Sequence, residues 1–380
     1  MRSRLILASG TLIALALSFP DAVRAQEAEP DKSGLERAIA RGVEYLVTSQ
    51  KKDGSWGSPA TNLHDIYAPP PGSQRTFQVA SSALALSALL EVGGDDPAVL
   101  AAIGRGKEFL IARHGVRRIM PDTLYNVWAS GYALEAFARL LAIEKDPEEA
   151  ARLRKAAREA IELLDRFQFV EGGWGYYNFD VQSKDPGPGS TCFTTATILI
   201  ALKMISDQGV EVPKHLVRGG LNVLKLSERP DNAFAYSVPH RFNPSGGVNQ
   251  VKGSLARTPA CLLAMDDWRP EVDRDRMRKA LNDLETHGRF LLIARKYPIP
   301  HEAWYQNSGY FCFYGYYYAA IMLHRLPEKE RAVFQKQITN RLVGLQEQDG
   351  SFWDYQLFNY HKAYGTGYVL MALGRCRAGS

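Results

Sequence analysis

The chain has 380 residues, of which 46% are apolar and 23% charged, and its formal net charge is +5. This is the make-up of a globular chain long enough for one large core, and it excludes a disordered or low-complexity protein. No run of Lys and Arg interleaved with aromatics occurs, so no nucleic-acid partner is expected.

At the N-terminus, Arg2 and Arg4 precede an apolar run from Leu5 to Leu17, and Val23-Arg24-Ala25 places small residues where a signal peptidase reads. Residues 1–25 are therefore expected to be a secretory signal, cleaved near Ala25 to give an exported chain. The apolar run is too short for a membrane span and no Cys follows it to carry a lipid, so no transmembrane anchor is expected. Losing Arg2, Arg4 and Arg24 against Asp21 lowers the net charge from +5 to +3. Residues 26–34 are expected to be a flexible lead-in, and 35–380 a single domain.

From residue 35 onward the chain alternates two kinds of helical pattern. The stretch 35–49 has Leu35, Ala38, Ile39, Val43, Leu46 and Val47 at three- and four-residue spacing, with Glu36, Arg37, Arg41 and Glu44 on the other side. The stretch 80–90 is apolar nearly all round, which a helix tolerates only when enclosed. The alternation continues as 98–113 and 129–141, 149–167 and 194–204, 213–226 and 258–265, 271–296 and 316–323, and 328–346 and 367–373. Six half-polar outer helices paired with six enclosed inner ones predict an all-α protein, a double ring or α6/α6 toroid. The long loops 52–76, 171–192 and 228–256 lead into inner helices and fall at one end of that ring, where binding sites usually sit. Cys192, Cys261, Cys312 and Cys376 form no CxxC pair and are expected to be buried free thiols, and nothing points to a metal or a cofactor.

One helix ending recurs. Arg41 to Trp56 closes on Gln50, Gly54 and Trp56; Gln168, Gly172 and Trp174 repeat the spacing, as do Gln346, Gly350 and Phe352. Arg105-Gly106-Lys107-Glu108-Phe109-Leu110 repeats the first half. The segment from Arg41 to Gly57 resembles the QW motif of squalene and oxidosqualene cyclases, within the prenyltransferase and squalene-oxidase repeat families. The resemblance covers essentially the whole chain after the leader and implies the α/α toroid. In it, the Gln would bond exposed helix-end carbonyls, the Gly would turn the chain, and the Trp would pack against the next pair.

The chemistry of those families is carried over less completely. Their cyclases protonate a polyene with an Asp-x-Asp-Asp motif opening an inner helix; the best match here, Thr191 to Leu202, has none of the acids. Without a strong carboxylic acid no alkene or epoxide is protonated. Asp266-Asp267 lies at the other end of its inner helix, and Asp273-x-Asp275 reads as the cap of an outer one. Protein prenyltransferase β subunits are also similar: Tyr360-His361-Lys362-Ala363-Tyr364 resembles the segment carrying their zinc His, with Cys312 near the expected thiolate. The Asp position is Tyr310, and one thiolate with one imidazole makes an incomplete zinc site.

The candidate site residues lie in the outer-to-inner loops at the mouth. Asp354, Glu302 and Asp180 are the acid or base candidates, with His361 and His301 as their partners. Tyr125, Trp128, Tyr177, His240, Trp304, Tyr310, Tyr360 and Tyr364 are the binding candidates, because aromatic faces stack on a prenyl chain or a sugar and their polar edges supply hydrogen bonds. Among the Gly-x-aromatic endings, Trp56, Trp174 and Phe352 are expected to be structural.

Three functions fit this residue set. The first is an exported protein that binds, or also transforms, a hydrophobic isoprenoid-like ligand in the toroid cavity. The second is a secreted carbohydrate-active enzyme, a polysaccharide lyase or glycosidase, with its site at the loop mouth. The third is a non-catalytic interaction module. The cavity lining separates the first two: paired carboxylates about 5 to 10 Å apart favour glycan chemistry, and an uncharged funnel favours lipid.

Overall fold

The computed structural model of the protein describes residues 32–59, 71–117, 125–175, 189–270 and 272–377. The expected leader and cleavage point lie outside these residues. Thirteen α-helices make up the fold among the described residues. In chain order they are α1 (Lys32–Ser49), α2 (Gln74–Val92), α3 (Pro97–Arg113), α4 (Asn126–Ile143), α5 (Pro147–Phe167), α6 (Cys192–Ser206) and α7 (Lys214–Ser227). They continue as α8 (Arg257–Trp268), α9 (Arg274–His287), α10 (Arg289–Ala294), α11 (Phe311–Met322), α12 (Glu328–Val343) and α13 (His361–Arg375).

The inner ring is α2, α4, α6, α8, α11 and α13: each packs on the next, and α13 returns to α2. The architecture is an α/α toroid. Inner helices are enclosed as their composition demands; along α6, every residue from Cys192 to Leu202 is buried. Outer helices bury one face. On α5, Leu153, Ala157, Ala160 and Leu164 go inward, while Asp146 caps the N-terminus by accepting from Glu148 N at 2.8 Å, with Pro147 at the first position. Asp273 caps α9 through Asp275 N at 2.9 Å, the role its position suggests.

The recurring helix ending builds the joints between outer helices. In each copy the Gln amide donates to the carbonyl of the Gly four residues on and to a carbonyl of the next outer helix: Gln50 to Gly54 O (3.1 Å) and Ala102 O (2.9 Å), Gln168 to Gly172 O (2.8 Å) and Leu216 O (3.2 Å), Gln346 to Gly350 O (3.0 Å) and Ala38 O (2.8 Å). The Gln therefore reaches a neighbouring helix rather than capping its own. The three glycines share a left-handed backbone, φ +86, +104 and +83, and a Cβ there would strike the next outer helix. Trp56 and Trp174 are fully buried; their indole N–H groups donate to Leu46 O and Leu164 O at 2.7 Å, and their rings lie over Gly106 and Gly220. These residues build the ring and leave the lumen free.

Two boundaries differ from expectation. The inner helices begin earlier, at Gln74, Asn126, Cys192, Arg257, Phe311 and His361. Their first turns are rich in aromatic and polar residues, which read as loop in sequence; in the ring they are helical, and Phe77, Trp128, Phe193, Phe311 and Tyr364 among them line a lumen. The fifth outer helix, expected unbroken over 271–296, divides at Gly288, where a Cβ would lie 2.6 Å from Leu284 O and 3.0 Å from the Tyr316 hydroxyl.

Candidate functional site

All the inner helices run in the same sense, so their N-terminal halves together face one end of the lumen. A cavity of ≈ 340 Å³ opens there among the described residues. Phe77, Ala80, Ser81 and Leu84 come from α2, Trp128 and Tyr132 from α4, Phe193 from the first turn of α6, and Phe311 and Tyr314 from α11. Tyr364 and Tyr368 come from α13, with Tyr360 at its cap, and Tyr125, Pro300, His301, Tyr310, Tyr355 and Leu357 complete the wall from the loops.

The rings hold one another in place. Trp128 stacks on Tyr132 (5.5 Å, 11°) and on Phe193 (6.2 Å, 21°), and Phe193 meets Phe311 edge-on at 4.9 Å. Tyr125, whose φ of +62 is unusual for a residue with a side chain, leans on Phe77 at 5.3 Å. At the deep end the phenols of Tyr132 and Tyr368 bond each other, while the Tyr314 hydroxyl lies 3.1 Å from Thr197 Oγ1 and donates to Phe193 O at 3.1 Å. Burial raises the pKa of all three phenols, so they are neutral hydroxyls at physiological pH.

Deeper still lies a network of ion pairs, buried at Glu135 and part-buried at Glu91 and Arg375. Glu135 accepts from Tyr317 and from Arg139 (2.9 Å), Arg139 reaches Glu91 (3.3 Å), and Arg375 joins Glu91 from α13 (3.0 Å). Four inner helices meet in this network, and every charge has a partner of opposite sign. It is a paired network, not an open polar site.

The wall itself carries no carboxylate among the described residues, and His301 is its one histidine. Burial lowers the His301 pKa, partly opposed by Glu302, and so favours the neutral ring.

The structure separates the sequence candidates. Tyr125, Trp128, His301, Tyr310, Tyr360 and Tyr364 share the cavity wall. Asp354, Glu302, His361, His240 and Trp304 do not. Asp354 is wholly buried and accepts from Phe313 N (2.9 Å), Tyr355 N (2.8 Å) and the Tyr364 hydroxyl (2.7 Å), which braces Tyr364 from behind. Glu302 accepts from Trp304 N (2.7 Å), Tyr305 N (2.8 Å) and Asn307 N (3.0 Å), and so organises a turn. His361 lies one position from Tyr360 on the helix and turns away from the lumen, its Nδ1 2.9 Å from Phe358 O and its ring on Trp353. His240 is exposed and paired with Ser237 (2.7 Å), and Trp304 is 66% exposed. Tyr177 and Asp180 lie outside the described residues.

Sequence reasoning passed over Phe77, Tyr132, Phe193, Phe311, Tyr314 and Tyr368. A signal existed: Trp128 and Tyr132 are four apart, as are Tyr360, Tyr364 and Tyr368, and Phe311 and Tyr314 are three apart. Aromatics at that spacing make a stripe on one helix face. Placing Trp128, His361 and Tyr364 in loops concealed it.

No protein-family model and no curated protein sequence matches the chain. Solved structures do. The type II terpene cyclase MstE from Scytonema, in complex with its substrate geranylgeranyl dihydroxybenzoate, is 13% identical with a TM-score of 0.54, over 91% of this chain and 97% of that one. The cellobiose 2-epimerase of Spirochaeta thermophila is 14% identical with a TM-score of 0.56, over 91% and 96%. The α-1,6-mannanase GH76A of Salegentibacter, in complex with α-1,6-mannotriose, is 9% identical with a TM-score of 0.56, over 90% and 99%. At these identities the likeness is one of fold.

Proposed function

We propose that the protein binds an elongated, isoprenoid-like apolar molecule in the lumen, with any single oxygen function of that ligand set against the phenols of Tyr132, Tyr314 and Tyr368. The observation that carries this reading is the wall: aromatic and aliphatic side chains from five inner helices and the flanking loops, with no carboxylate among the described residues. Apolar surface leaving water drives such binding, and stacked rings shape it. A ligand hydroxyl or carbonyl at the deep end meets neutral donors, so its desolvation is offset by hydrogen bonds.

Among the described residues the same wall presents no acid of the kind polyene cyclisation requires. Binding, rather than proton-initiated cyclisation, is the activity this lining supports. Arg2, Arg4 and the apolar run that follows support export of the chain, with the ligand met outside the cytoplasm.

Native mass spectrometry of the purified protein before and after solvent extraction tests the reading. A copurifying apolar adduct, or saturable quenching of Trp fluorescence by geranylgeraniol, is expected. Absence of both, beside binding or turnover of an oligosaccharide, overturns it in favour of the glycan reading. That alternative draws on the hydroxyl-edged aromatic wall and on the epimerase and mannanase neighbours.

A further inference from the structure

Ten large apolar side chains are exposed among the described residues, and five of them fall in two mouth segments: Phe242 in one, and Ile293, Tyr297, Ile299 and Trp304 in the other. Leu100 and Val333, by contrast, stand singly on outer helices, which is ordinary for a protein surface. The two segments touch. A Cβ on Gly247, five residues after Phe242, would lie 2.5 Å from Trp304 O, and Asn307 Nδ2 donates to Lys252 O at 2.9 Å. Phe290 of α10 braces the tip, its ring 6.5 Å from that of Trp304 and 4.7 Å from that of Tyr305. The turn that carries Tyr297 and Ile299 runs directly into Pro300 and His301, which line the cavity, so these exposed side chains rim its mouth.

The rim is basic as well as apolar. No acidic residue occurs between Asp231 and Asp266, and the only one within 286–310 is Glu302, which is buried. Arg241, Lys252 and Arg289 stand in these segments, and no carboxylate bonds to any of the three among the described residues. Their charges lie instead on aromatic faces, 4.6 Å from the Phe242 ring, 5.3 Å from the Tyr305 ring and 5.1 Å from the Phe290 ring respectively. Positive charge is thus left uncompensated beside exposed aromatic rings.

We propose that this rim docks the protein on an anionic lipid bilayer, with Phe242 and Trp304 entering the headgroup region and Arg241, Lys252 and Arg289 facing lipid phosphates. Side chains with an apolar body settle at that depth, and each Lys or Arg held near a negative membrane surface adds to the attraction. The apolar cavity opening at the same rim selects a lipid surface over an acidic protein, because an apolar molecule passes from bilayer to lumen without crossing water. The contact is peripheral: no helix among the described residues is long and apolar enough to cross a bilayer.

Cosedimentation of the purified protein with vesicles tests the proposal, whatever the cavity binds. Phosphatidylcholine vesicles containing phosphatidylglycerol are expected to bind it at least about ten-fold more tightly than phosphatidylcholine alone, and to release it at high salt. Phe242→Ala combined with Trp304→Ala, both at exposed sites, is expected to weaken binding at least about ten-fold, while Leu100→Ala leaves it unchanged. Arg241→Glu combined with Arg289→Glu is expected to abolish the preference for the anionic vesicles. Absence of vesicle binding, or equal binding by parent and variants, overturns the proposal. So does a dimer in sedimentation velocity that Trp304→Ala dissociates, since the rim would then join two copies of the chain. Failure to bind geranylgeraniol alters none of these outcomes, so the docking and the ligand reading fail separately.

Discussion

Arg41 and Gln346, 305 residues apart, fasten the last helix ending of the ring to its first helix: the Arg41 guanidinium donates to Gln346 Oε1 at 3.2 Å, and Gln346 returns a bond to Ala38 O at 2.8 Å. Arg105 and Gln50 make the same contact at 3.0 Å within the chain. The clasp that joins neighbouring repeats thus also closes the circle.

Gln346→Ala is expected to lower unfolding free energy by about 1–2 kcal/mol, because two part-buried carbonyls lose their donor. Arg41→Ala, at an exposed site, is expected to cost less than about 1 kcal/mol. Urea midpoints of the single and double variants measure the coupling, and strict additivity would show that the two side chains do not act together.

Gly54→Ala is expected to cost more than about 2 kcal/mol, since the new Cβ needs a left-handed backbone and would stand 2.2 Å from Arg105 O. Gly94 also has a positive φ, +70, but open space around it, so Gly94→Ala is expected to cost only about 1 kcal/mol. Equal losses in thermal unfolding would place the cost in the backbone alone.

Trp128→Ala removes the ring stacked on both Tyr132 and Phe193, and is expected to weaken apolar ligand binding by about 10- to 100-fold. Trp304→Ala, outside the wall, is expected to leave affinity unchanged. Fluorescence titration with geranylgeraniol compares them, and a reversed ranking would move the site to the exposed rim.

Asp354 is pushed up to about 6 from 3.8, chiefly by burial, against the bonds from Phe313 N, Tyr364 and Tyr355 N. Between these values the native chain keeps a proton that the unfolded chain releases, so its contribution to stability is full below pH 3.8 and lost as pH rises through 6. Asp354→Asn is expected to gain stability relative to the parent across that window, by about 3 kcal/mol at most. A difference independent of pH would show that Asp354 ionises normally.

His361 shifts in the opposite sense, burial holding it down to about 4 from 6.5. The unfolded chain binds the proton first, so this contribution is present above pH 6.5 and lost as pH falls towards 4. Nitrogen-15 spectra of the imidazole are expected to show His361 neutral at about pH 5; a protonated ring there would refute the burial argument.

The ring was legible because its parts are local. Six enclosed helices announce themselves by lacking charge, and the repeated Gln, Gly and aromatic spacing needs only sequence separations of six or fewer. Even the cap at Asp273 followed from short-range chemistry. The site was legible only in part. Tyr125, Trp128, Tyr310, Tyr360 and Tyr364 were named from residue type, while Tyr132, Tyr314 and Tyr368 looked like ordinary core.

Sequence alone settled the class of architecture, since helical period and enclosure are properties of one segment at a time. Which face of each inner helix becomes lumen was decided by tertiary structure. Tyr368 is 236 residues from Tyr132, yet their hydroxyls meet across the ring, while Asp354 and His361 turn away from it. An aromatic helix face carries no mark of what it will pack against. Closure of α13 on α2 turned one such face into a cavity wall and left the nearby acids as internal braces.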